Sequence, residues 1–228
     1  MDIQLYYTES GSGFPLILLH GNGEDHTYFV HQFPCFSKKY RVIAIDTRGH
    51  GKTPRGTAVF SIEQFADDLK SFLDVKNIKM AHILGFSDGG NIAMVFAIKY
   101  PEYVRSLVLN GANLYSQGVK PTVQIPIIIE YKIAKLFSSF DSKAKQHAEL
   151  LGLMVHDPHL TIEDLKKIHS RTLVIAGTKD MIKKSHTKLI YRNIVNAELV
   201  FITGDHFIAN KNPEIYNHVV MNFFEKET

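Results

Sequence analysis

The sequence predicts an α/β fold built on a mostly parallel central sheet with helices on both faces, and three observations predict it. Seven short aliphatic or β-branched runs recur along the chain: "IQLYYT", "PLILLH", "RVIAID", "MAHILG", "SLVLNG", "TLVIAG" and "ELVFIT". Most of them are continuously apolar rather than alternating, as strands covered on both faces are. Longer segments with helical spacing separate them. With 228 residues and 45% hydrophobic content, the chain can bury a full core in one domain.

The elements follow in order. After the first three strands, residues 61–75 open with a serine start signal and place Ile62, Phe65, Leu69, Phe72 and Leu73 three and four apart, which predicts an amphipathic helix on the sheet. A second helix is expected from residue 87 to about 100, stopped by Pro101. The last is expected over 213–224, with proline in its first turn. Between them, residues 113–169 lack the strand rhythm and read as a helical cap inserted between two parts of the core, 1–112 and 170–228. The run "IPIIIEYKI" in that segment competes as a strand, but Pro121 and Pro126 argue against a central ladder position.

Composition narrows the partners. The net charge of +3 comes from 26 basic and 23 acidic residues spread along the chain, without the basic block that nucleic acid would require. No apolar run is long enough for a membrane span, and the first residues carry no signal-peptide pattern. Cys35 is the only cysteine, which leaves no internal disulfide and no cysteine-based zinc site, and it reads as a small packing residue. A cytoplasmic chain with no cofactor, no metal, no nucleic acid and no membrane partner is expected. His156 and His159 in "HDPH" lack further ligands at suitable spacing.

The chemistry centres on "GFSDGG", residues 85–90. Ser87 follows a buried strand and precedes a helix, flanked by glycines that a sharp turn demands, so its hydroxyl is lifted clear of the sheet beside free helix N–H groups. A phosphate loop is excluded, because neither of the glycine-rich phosphate motifs is present. A serine nucleophile needs a base, and the base needs a carboxylate. His206 in "GDHF" and Asp180 in "GTKDMI" each follow a strand, so all three fall where open α/β sheets place their sites. Asp205 is a second carboxylate, but consecutive side chains diverge, which favours Asp180. The amide of Asp88 and that of Asn22 in "HGNG" are the expected oxyanion donors. His20 and His50 read as turn-forming residues around the site, and "DTRGHG" as a structural loop at its rim.

These motifs together resemble the α/β-hydrolase family: His20-Gly21, "DTRGHGKT" over 46–53, the "GFSDGG" elbow, "GTKDMI" and "GDHF". The resemblance covers almost the whole chain. It implies Ser87 as nucleophile, His206 as general base and acid, Asp180 as its orienting carboxylate, and a cap after the sixth strand of the family core. Against the family pattern a first edge strand is expected to be absent, and Asp205 stands before the histidine. The expected activity is cleavage of a small ester or related acyl substrate through an acyl-serine intermediate, with Gly21 and Asp88 near the substrate. Amidase, thioesterase, perhydrolase and carbon–carbon hydrolase activities use the same groups, and a small-molecule receptor would keep the same fold. Asp88 has two readings: a first-turn acid favoured by the helix dipole, or a receiver for a substrate ammonium, since the elbow is similar to that of the valacyclovir-hydrolase-like branch, which cleaves amino-acid esters.

Overall fold

A computed structural model describes residues 2–226. Its seven strands are β1 (Tyr7–Ser10), β2 (Pro15–Leu19), β3 (Arg41–Ile45), β4 (Ala81–Phe86), β5 (Val104–Asn110), β6 (Arg171–Gly177) and β7 (Ala197–Ile202). They form one sheet in the order β1-β3-β2-β4-β5-β6-β7, and only β1 runs antiparallel to its neighbour. The helices are α1 (Phe33–Phe36), α2 (Ile62–Val75), α3 (Asp88–Lys99), α4 (Pro121–Phe137), α5 (Ser142–His156), α6 (Ile162–Leu165), α7 (Lys184–Asn193), α8 (Ile208–Lys211) and α9 (Pro213–Glu225).

Strand alternation feeds two cores. Ile17, Leu19, Ile43 and Ile45 face a cluster completed by Phe65 and Leu69 of α2 and by Met94 and Phe96 of α3. Leu16, Leu18, Val42 and Ala44 face the other side, closed by Phe36 of α1 and by Tyr216, Val220 and Phe224 of α9. Both faces of the central strands are therefore dry, as their unbroken apolar runs predict.

Two expectations shift in detail. The first strand lies at Tyr7–Ser10 rather than at 3–8. Ile3 and Leu5 are still buried, so their apolar character serves the core without a ladder position. The helix starts move one residue inward, because Ser61 and Ser87 occupy N-cap positions; the Ser61 side chain accepts the Gln64 amide at 3.2 Å. "IPIIIEYKI" is helical throughout, inside α4 with Pro126 within it.

Between β5 and β6 there is no sheet strand among the described residues. Here α4 and α5 form an antiparallel hairpin, with Ile127, Tyr131 and Ala134 of one packed on Ala148 and Leu151 of the other. Polar ties hold the insertion to the core. Arg55 makes a two-pronged contact with Glu149 at 2.9 and 2.9 Å, and His186 Nε2 accepts the Leu114 amide at 2.9 Å. Burial pushes the His186 imidazole down to about 4, so it stays neutral and free to accept that bond at neutral pH. Among the described residues no helix is long and apolar enough to cross a membrane.

Candidate active site

Ser87 connects β4 to α3 with φ 53° and ψ −118°, a backbone conformation that L-residues rarely adopt. The turn is tight enough to require its glycines. A Cβ on Gly85 would lie 2.1 Å from the Gly89 carbonyl oxygen, and one on Gly89 would lie 2.1 Å from that of Leu19. The Ser87 amide donates to the Asn110 carbonyl at 2.8 Å, tying the turn to the end of β5.

Asp180 follows β6 and His206 follows β7, and both are almost fully buried. The His206 Nδ1–H donates to Asp180 Oδ1 at 2.7 Å, which leaves Nε2 to accept from the Ser87 hydroxyl at 3.0 Å. Asp180 is itself fixed, accepting the amides of Ile182 at 2.9 Å and Gly177 at 3.3 Å. Asp205 turns away, accepting the Phe207 amide and pairing with Lys211. The geometry thus brings Ser87, His206 and Asp180 together and leaves Asp205 outside. Gly111, at φ 64°, keeps the space beside the imidazole open, since a Cβ there would stand 2.6 Å from His206 Cε1.

The loop after β2 lies beside Ser87. The buried His20 imidazole donates from Nδ1 to the Gly21 carbonyl at 2.7 Å and accepts the Thr47 amide at Nε2, 3.0 Å away. Burial holds its pKa down at about 4, so the bridge to the "DTRGHG" loop is neutral. That loop is braced against its surroundings, with Arg48 fully buried between Asp68 and Asp2 and with Asp46 accepting the amides of His26 and Lys52. Neither the Asn22 nor the Asp88 amide has an acceptor among the described residues, and the Gly21 amide is taken by Glu24 Oε2 at 3.0 Å.

Asp88 does not cap the helix backbone. Its carboxylate accepts from the side-chain amides of Asn22 at 2.9 Å and Asn91 at 3.1 Å. Burial raises its pKa, while the two amide bonds and the nearby His206 oppose the rise. Asn91 continues to Asn113 at 3.1 Å, and Asn22 also reaches the Leu150 carbonyl of α5 at 2.8 Å. The polar network therefore runs from the loop after β2, through the residue after Ser87, to the helical insertion.

Glu24, Asn91 and Asn113 also take part, and no motif marks them in the sequence. Burial pushes the Glu24 carboxyl up to about 7, against the Gly21 amide and His206. Its only local signal is an acid three residues after Gly21. Among the described residues one set of potential metal ligands converges, Asp25, His26 and Asp46. Its acceptor atoms are already engaged: Asp46 Oδ1 takes the His26 amide and ring at 2.7 Å each, and Asp25 caps a short turn through the Thr27 amide. His156 instead packs edge-on against Tyr131, with ring centroids 5.0 Å apart.

Residues 15–149 match the family model described as the alpha/beta hydrolase fold. The chain belongs to the α/β-hydrolase family. The matched segment holds the α/β-hydrolase elbow and the loop after β2, while Asp180 and His206 lie beyond it. The human protein named serine hydrolase BPHL is 25% identical over 98% of this chain and 84% of its own length. The 2-hydroxymuconate semialdehyde hydrolase of Pseudomonas sp. strain CF600 is 39% identical over 46% of this chain and 38% of its own. In structure, the meta-cleavage product hydrolase of Pseudomonas fluorescens IP01 superposes with a TM-score of 0.80, at 26% identity, over 99% of this chain and 96% of that one.

Proposed function

We propose that the chain is a serine hydrolase that cleaves a small ester or related acyl substrate. The observation that carries this reading is the continuous hydrogen-bonded path Ser87 Oγ to His206 Nε2 and His206 Nδ1 to Asp180 Oδ1, at 3.0 and 2.7 Å. In this reading Ser87 attacks the carbonyl carbon while His206 Nε2 takes its proton, and Asp180 stabilises the imidazolium. The tetrahedral oxyanion is received by the free amides of Asn22 and Asp88 at the positive end of α3. The imidazolium then protonates the leaving alcohol. Water, deprotonated by His206, attacks the acyl-Ser87 ester, and collapse returns the serine and releases the acid. The steps use groups of the chain and one water. The core is 1–112 with 170–228, and 113–169 acts as a cap whose helices wall the substrate pocket. A cytoplasmic setting accords with the lone cysteine.

Asp88 sharpens the substrate class. Its buried carboxylate has only neutral amide partners, so a substrate ammonium would supply the cation that it lacks. Aminoacyl esters are therefore preferred over acyl esters of the same alcohol. A second reading, carbon–carbon bond hydrolysis, is favoured by the two relatives whose names state a cleavage-product or semialdehyde substrate.

Hydrolysis of p-nitrophenyl esters from acetate to octanoate by the wild type and by Ser87→Ala tests the core of the proposal. Multiple turnover lost in the variant supports it, whereas turnover retained by a folded Ser87→Ala removes it. Comparing alanyl with acetyl esters tests the ammonium reading, which fails if the preference is absent or unchanged in Asp88→Asn. Consumption of 2-hydroxymuconate semialdehyde, with ester turnover absent, would favour the second reading. A single turnover with every substrate would favour a receptor.

A further inference from the structure

We propose that the α4–α5 hairpin tip is a docking surface for an anionic lipid bilayer. Ile125, Ile129, Ile133 and Leu136 follow one another at four-, four- and three-residue steps along one face of α4, and Phe137 and Phe140 continue the patch at the tip. All six are between 54 and 89% exposed, with Phe140 the most exposed. The opposite face, through Ile127, Tyr131 and Ala134, is already used against α5. A continuous apolar strip of this length on the outside of a helix marks an interaction surface.

Charge selects the occupant. Lys132, Lys135 and Lys143 border the patch and are exposed. Among the described residues Lys132 and Lys143 make no ion pair, and Lys135 bonds only the Tyr131 hydroxyl at 3.1 Å. The acids of the same hairpin each have a partner of their own: Glu130 pairs with His147 at 2.8 Å, Asp141 accepts the Lys143 amide as the cap of α5, and Glu149 pairs with Arg55. A second copy of the chain would bring these lysines toward one another. A bilayer with anionic headgroups takes up the lysines while its acyl boundary receives the isoleucines and phenylalanines, as for helices that lie in the interface plane. The helix would lie on the bilayer and not span it. The proposal departs from the expectation of no membrane partner, and it does not depend on the proposed reaction.

Co-sedimentation of the full chain with phosphatidylglycerol vesicles and with phosphatidylcholine vesicles at low salt tests the proposal. Binding to the first and not the second is expected, with loss in Leu136→Asp/Phe140→Asp. A weakening of about tenfold or more is expected in Lys132→Glu/Lys135→Glu. Circular dichroism of each variant establishes that the fold is kept. No binding to phosphatidylglycerol, or binding that survives the Asp pair, overturns the proposal. A dimer in light scattering that Leu136→Asp disperses would assign the face to a second copy and equally overturn it.

Discussion

The side-chain amide of Asn22 lies 2.9 Å from the carboxylate of Asp88, so the loop after β2 and the residue after Ser87 are braced against each other. The same amide reaches the Leu150 carbonyl, and one side chain thereby links the candidate oxyanion donors to α5. Replacing Asn22 with alanine removes both bonds and keeps the backbone amide. Because the Asn22 bond holds the Asp88 pKa down, its loss raises that pKa further. With both bonds gone and the loop after β2 no longer braced, we expect kcat/KM for ester hydrolysis to fall about tenfold, equivalent to roughly 1.4 kcal/mol of transition-state stabilisation. Wild-type kinetics in Asn22→Ala would show that the brace has no role in the reaction.

The backbone at Ser87 separates stability from activity. Its φ of 53° at ψ −118° is strain of about 1–3 kcal/mol for a residue with a Cβ. Glycine relieves the strain but loses about 0.5–1 kcal/mol through the freedom of the unfolded chain. Ser87→Gly is therefore expected to be more stable than the wild type by about 1 kcal/mol in urea unfolding, and to be inactive. A destabilised Ser87→Gly would mean that the turn is not strained.

Glu24 gives the fold a pH signature. Its ordinary value is 4.5 and burial raises it to about 7, so between these values the folded chain holds more protons than the unfolded chain. Its contribution to stability is full below about 4.5 and is lost as pH rises toward about 7. Glutamine does not titrate there, and Glu24→Gln should gain on the wild type across that window. Solvent access limits the gain to about 1 kcal/mol. Parallel urea unfolding curves at the two ends of the window would contradict the assignment.

Arg48 is fully buried, and its guanidinium binds Asp68 through two bonds of 2.7 and 2.8 Å. Arg48→Met leaves Asp68 as an unpaired buried acid, at a cost of about 3–5 kcal/mol in unfolding free energy. Removing both charges in Arg48→Met/Asp68→Leu should recover most of that loss. Equal losses in the single and double variants would show that packing, and not charge, is what Arg48 supplies.

Much of the architecture was legible because its signals are local. Continuous apolar runs mark strands covered on two faces, and the glycines around Ser87 mark a turn whose close approaches are backbone to backbone. The three site residues were readable as strand followers. Their contacts depend on the parallel register of β6 on β7, which pairs Gly177 with Ile202 and which no local pattern encodes. The first strand was misplaced because Ile3 and Leu5 are apolar for burial alone, a role that looks the same in sequence as a ladder position. The Asn22–Asp88–Asn91–Asn113 network was missed for another reason. Its links span 66, 3 and 22 residues, and asparagine has no sequence signature for a buried amide.

The spacing of the site residues also sets when the site comes into being. Ser87 and His206 are 119 residues apart, and they meet only after β4 to β7 have paired in parallel through long crossovers. Such non-local pairing is slow compared with helix formation. In a refolding chain, helical circular dichroism should thus return well before the capacity to open an ester. Burst-free recovery of turnover, lagging the helical signal, would make catalysis a clock for completion of the sheet.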